Sequence, residues 1–152
     1  MDKKIVVLIR AGVPYKNTIS YGRQRAREAG AKLLLVGVIP DMNLSRRAAL
    51  ASYEIGPYST ISKKMEEETA LYLERAVQFC LDNAMTVETQ TETGGIESSV
   101  RKFAKDPSVK LVVVPTPSHK EHHSEFLDAI KHFAHDVLDY ELCCPVVTVL
   151  AT

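Results

Sequence analysis

The chain has 152 residues, 45% of them hydrophobic, and its 19 basic and 19 acidic side chains give a formal net charge of zero at pH 7. That length and apolar share suit one compact domain over residues 1–152, with a core that needs neither disulfide nor metal. Balanced charge excludes broad electrostatic capture by nucleic acid or an anionic membrane and leaves open only a local basic patch.

Cys80, Cys143 and Cys144 form an odd set with two adjacent members, which is no disulfide framework and fits a reducing cytoplasm. Met1-Asp2-Lys3-Lys4 leads into only five apolar residues before Arg10, too few for a signal-peptide core. The longest apolar stretch, Leu33 to Pro40, is too short to span a bilayer. A soluble cytoplasmic protein without a membrane anchor is expected.

Ile5-Val6-Val7-Leu8-Ile9 is a β-branched run without polar alternation, the pattern of a strand covered on both faces. Leu33 to Ile39, Leu111 to Val114 and Val146 to Leu150 repeat it. Helical patterns separate these runs, and strand alternating with helix implies right-handed crossovers in a parallel sheet, the α/β class. The first helix is expected from about Thr18 to Glu28, with Ile19, Gly22, Ala26 and Ala29 facing inward and a stop at Gly30.

Asp41 to Ser59 is a long polar connection, either a lid or a loose surface loop. A longer helix is signalled from Thr60 to Ala84 by Ile61, Met65, Tyr72, Ala76 and Cys80. Met85 to Thr91 alternates weakly and reads as an edge-like strand. Gly94-Gly95 introduces a short helix carrying Ile96, Val100 and Phe103, which Asp106-Pro107 ends. A last helix presents Phe126, Leu127, Ile130, Phe133, Ala134, Val137 and Leu138 on one face, with Ser124 as its cap.

This order of elements, with Gly30-Ala31-Lys32-Leu33-Leu34-Leu35-Val36-Gly37-Val38-Ile39-Pro40 and Cys144-Pro145-Val146-Val147-Thr148-Val149, resembles the universal stress protein family from end to end. The resemblance implies a doubly wound, five-stranded parallel sheet in the order 3-2-1-4-5 with helices on both faces. It also implies dimers formed through the last strand. Many members of that family bind ATP, using an acidic residue at the end of strand one and a loop after strand four. The loop reads glycine, two residues, glycine, nine residues, glycine, then Ser or Thr. Its glycines let backbone N–H groups approach phosphate oxygens at a helix N-terminus.

This chain departs from that pattern. Strand four is followed by Pro115-Thr116-Pro117-Ser118, so Pro115 and Ser118 stand at the first two glycine positions, and proline has no N–H to give. Counting forward places the final pair on Asp128-Ala129, and counting back from Cys144-Pro145 places it on His132-Phe133; neither restores the motif. At the end of strand one stands Arg10, followed by Ala11-Gly12, and a guanidinium only donates where a carboxylate accepts. The crevice beyond the strand ends is still the default binding place of such a sheet. Its candidate lining is Arg10, Ala11, Gly12, Val38, Pro115, Thr116, Ser118 and His119, a degenerate nucleotide pocket. Either Arg10 with Thr116, Ser118 and His119 receives a small anion, or Arg10 pairs with an internal carboxylate in a vestigial pocket. The second reading is favoured because fold does not dictate function.

Other constellations have plainer readings beside the functional ones. All five histidines fall between His119 and His135, and Asp128, His132, His135 and Asp139 make one stripe on the last helix. Zinc binding or pH response is conceivable there, yet polar stripes are ordinary on surface helices, and no metal site is expected. Arg23, Arg25, Arg27, Lys32 and Arg46-Arg47 read as a solvated face rather than a basic patch. Cys143-Cys144 read as packed structural thiols. No catalytic constellation is defended by the residues.

The expectation is therefore a non-catalytic stress-response or regulatory protein of universal stress type, independent of ATP and AMP, with no nucleic-acid or membrane partner. It would act as a homodimer through Val146, Val147, Thr148, Val149 and Leu150, with a small anionic ligand near Arg10 and a regulatory protein partner as open additions. Two alternatives stand beside it: a nucleotide-binding stress protein with an atypical loop, and a metal- or pH-responsive module using the histidine cluster.

Overall fold

A computed structural model of the chain describes residues 2–40, 58–117 and 144–151. Its elements run β1 (Lys4–Arg10), α1 (Lys16–Ala29), β2 (Lys32–Ile39), α2 (Tyr58–Asp82), β3 (Val87–Thr93), α3 (Gly95–Ala104), β4 (Val109–Pro117) and β5 (Val146–Ala151). The five strands are all parallel and lie in the order β3-β2-β1-β4-β5, the doubly wound order expected. The last helix expected from the sequence lies outside the described residues.

Strand pleating sorts the apolar runs into two layers. Val6, Leu8, Leu34, Val36, Val38, Val112 and Val114 pack with Val100, Phe103 and Ala104 of α3 and with Cys144. Ile5, Val7, Ile9, Leu33, Leu35, Leu111 and Val113 pack on the opposite face with Ile19 and Ala26 of α1 and Leu73, Ala76 and Cys80 of α2. Helices thus cover both faces, and that is why β1 and β2 show no polar alternation. β3, at one edge, is polar and largely exposed.

Element boundaries differ from the sequence reading in ways with local causes. α1 starts at Lys16 after Pro14 and a Tyr15 cap position that forms no side-chain capping bond. The end of α2 is drawn back to Asp82 because Ala84 adopts the left-handed conformation at φ 55. The Met85 N–H then donates to the Cys80 carbonyl at 2.8 Å, so Met85 belongs to the helix-closing turn and β3 pairing begins at Val87. α3 ends in a turn where the Ser108 backbone N–H (2.9 Å) and hydroxyl (2.7 Å) both donate to the Asp106 carboxylate, holding that carboxyl below its ordinary range. Among the described residues no helix is long and apolar enough to cross a membrane.

Close approach of α1 to the sheet depends on Gly22. A Cβ added there would lie 2.5 Å from the Val7 Cγ2, and Val7 is a β-branched side chain with little rotamer freedom in a fully buried strand. Overpacking of this kind costs about 1–3 kcal/mol, against a helix-propensity gain of up to about 1 kcal/mol for replacing glycine. Gly22→Ala is therefore expected to lower the unfolding free energy by up to about 2 kcal/mol in urea titration, although alanine is the better helix former.

Candidate functional site

The candidate crevice lies where the β1–β4 ladder ends. β1 pairs with β4 only as far as Val7↔Val113. Beyond that point β1 stays with β2 to Arg10↔Val38, and β4 stays with β5 to Pro117↔Ala151. The β1–β4 ladder therefore ends at the point where the chain order of the sheet reverses, the usual ligand position in open α/β sheets.

Pleating places Arg10, Val38 and Thr116 on the α3 side of the sheet, in line with Leu8, Val36 and Val114. Val38 and Thr116 are buried, at 1% and 5% exposure, and form the floor; Arg10 is exposed above them. The internal carboxylate expected for Arg10 does not lie against it among the described residues. Gly12, exposed and at φ 85, carries the chain through a turn closed by the Val13 N–H donating to the Arg10 carbonyl at 3.1 Å. The Tyr72 hydroxyl reaches back from α2 to donate to the Val13 carbonyl at 2.6 Å. The Tyr72 ring meets Tyr15 edge to face at 5.4 Å, and Tyr15 meets Phe79 at 6.0 Å. Burial, with Tyr15 adding to it and Arg75 opposing, pushes the Tyr72 phenol up from its ordinary value, so it stays a neutral donor at physiological pH. Tyr72 is the site-shaping residue that sequence reasoning missed; its helical period marks it as inward-facing but not which carbonyl it meets.

β4 corrects one sequence expectation. Pro115 and Pro117 are not in a loop after the strand but within it, in register with Val149 and Ala151. The Val112 N–H donates to the Pro145 carbonyl on the β5 side at 3.2 Å. Backbone groups alternate between the two neighbours of a parallel strand, so Val114 and Thr116 also point their N–H groups toward β5. Pro115 and Pro117 therefore turn their nitrogens toward β1, where pairing has already ended. Two prolines are tolerated there without loss of a ladder bond, and the β4 wall of the crevice has no N–H at either position.

Ser118, His119, Cys143 and the Asp128, His132, His135, Asp139 stripe lie outside the described residues. Cys144 is buried in the α3-side layer, as a structural thiol would be. Cys80 is fully buried under α2, and burial, partly offset by the Arg23 charge, pushes its thiol up to about 11, which removes it as a nucleophile near neutral pH.

No protein-family model matches this chain, and no curated protein matches it. Among solved structures, the universal stress protein UspA from Lactobacillus plantarum is similar over 100% of both chains, with a TM-score of 0.60 and 16% sequence identity. The fold is therefore universal-stress-protein-like, in agreement with the resemblance in the sequence.

Because the Tyr72 hydroxyl fastens the loop carrying Gly12 to α2, Tyr72→Phe is expected to cost about 0.5–1.5 kcal/mol of stability. Hydrogen exchange at the Val13 amide should quicken at the same time, a readout that separates loop release from general weakening.

Proposed function

We propose that this chain is a universal-stress-type regulatory protein of the cytoplasm that works without ATP and without catalysis, as a homodimer joined through β5. The observation that carries this reading is the β4 wall: where a nucleotide-binding member would offer backbone N–H groups to phosphate, Pro115 and Pro117 offer none. Arg10 at the end of β1 adds to it, since a guanidinium cannot accept the hydrogen bonds a nucleoside would donate. An exposed Arg10 above a floor of Val38 and Thr116 suits at most a small anion held by a contact that salt screens.

The dimer rests on β5. It is the sheet edge beyond β4, it has Val146, Val147 and Val149 half-buried, and Leu150 stands 54% exposed. An apolar edge strand of this kind is a hazard unless paired or covered. A stress-response role is supported by the full-length likeness to the UspA of Lactobacillus plantarum.

Calorimetry with Mg-ATP at physiological salt is expected to give no saturable heat, corresponding to a Kd above about 1 mM and less than about 4 kcal/mol of binding free energy. Micromolar binding would defeat the ATP-independent reading, and its loss in Arg10→Ala would make Arg10 the central contact. Light scattering at micromolar concentration should give twice the chain mass. Leu150→Lys, at a position where a monomer tolerates charge, should halve that mass; a monomeric parent protein would remove the dimer from the proposal.

A further inference from the structure

At the opposite end of the sheet, where β2 and β3 begin, a groove of about 510 Å³ lies between the end of α1 and the turn from α2 into β3. Two abrupt helix endings create it. In α1 the Ala31 N–H donates to the Ala26 carbonyl at 2.9 Å and the Gly30 N–H to the Arg27 carbonyl at 3.4 Å. In α2 the Met85 N–H donates to the Cys80 carbonyl at 2.8 Å and the Ala84 N–H to the Leu81 carbonyl at 3.1 Å. Both endings have the same double-bonded form around a left-handed residue, Gly30 at φ 62 and Ala84 at φ 55. Each chain then drops directly into its strand, Leu33 pairing with Val87, and the space between the two turns stays open.

The floor of this groove is apolar. Ala26, Leu33 and Met85 are buried beneath it, and Ala31 and Val87 are half-buried along its sides. The rim is charged. Lys32 is engaged by Asp2 at 3.3 Å and Glu88 at 3.9 Å, and on α1 Arg25 is engaged by Glu28 at 3.1 Å. Arg23 and Arg27, one helical turn apart and both lining the groove, have no acidic partner among the described residues. Both lie on the side of α1 that borders the groove, beside Ala26 and Gly30. The carbonyl ends of the two helices supply only about half a negative charge each, and two guanidiniums exceed that sum.

We propose that this groove binds an amphiphilic carboxylate, with the head group between Arg23 and Arg27 and the apolar body on Ala26, Leu33 and Met85. The planar fork of a guanidinium matches two carboxylate oxygens. The volume falls within the range of about 300–1,000 Å³ typical of small-molecule sites. Glu88 and the two helix carbonyl ends repel further negative charge, which selects one anionic head over a polyanion such as nucleic acid. This site is independent of the crevice and does not rest on the function proposed for it.

The test is titration of isotope-labelled protein with dodecanoate below its micellar range, followed by amide NMR. Saturable shifts are expected at Ala26, Ala31, Met85 and Val87, without comparable shifts at Arg10, Gly12 or Thr116. Monododecanoyl glycerol, which lacks the charge, and acetate, which lacks the body, should each bind at least about tenfold more weakly. The Arg23→Gln, Arg27→Gln double variant should lose at least about tenfold in affinity. Ala31→Glu, which places a carboxylate at the groove with both arginines intact, should do the same and serves if the double variant fails to fold. Absence of saturable shifts, shifts centred on the crevice, equal binding of the uncharged ester, or unchanged affinity in a folded variant would overturn the proposal.

Discussion

Five consecutive buried residues, Ile5 to Ile9, hold β1 between β2 and β4 with helices on both faces, and the rest of the molecule is arranged around that strand. Full burial of each such side chain contributes about 1.5–3 kcal/mol relative to exposure, so β1 cannot shift by one residue without exchanging its two apolar layers. Its pairing is unequal along its length: complete on the β2 side, ended at Val7↔Val113 on the β4 side. The crevice follows from this inequality.

That inequality also explains why β4 accommodates two prolines. A proline nitrogen turned toward a paired neighbour would remove a ladder bond, whereas Pro115 and Pro117 face a side without pairing. The same orientation that makes them harmless to the fold removes them from phosphate chemistry. The crevice lies at the usual ligand position of an open α/β sheet and presents a side-chain cation, Arg10, over an apolar and hydroxyl floor.

The two ends of the sheet therefore differ in chemistry although the same strands and helices make both. The carboxyl end has a loop tied down by the Tyr72 hydroxyl and a wall poor in donors. The amino end has two guanidiniums without an acidic partner among the described residues, over a floor of Ala26, Leu33 and Met85, made possible because α1 and α2 stop one and two residues before their left-handed residues Gly30 and Ala84. Burial at that end keeps Cys80 an inert thiol beneath α2 while Arg23 stays at the groove.

The residue pattern by itself determined the class of fold, the number of strands and the absence of the glycine spacing, while their order in the sheet was implied by the resemblance to universal stress proteins. Runs such as Ile5 to Ile9 and Leu33 to Ile39 lack alternation only when both faces are covered, and that pattern is local. Arg10 at the end of β1 was legible for the same reason: the run it terminates is visible in one dimension. What a proline does in a strand is not local, and Pro115 reads as a strand end until the direction of its nitrogen and the end of the β1–β4 ladder are known. Arg23 and Arg27 read as a solvated face because helix periodicity compares a residue only with its own helix. The groove beside them needs β2, β3 and the end of α2 brought together. Tertiary structure decided those matters because direction, pairing and enclosure depend on neighbours distant in the chain.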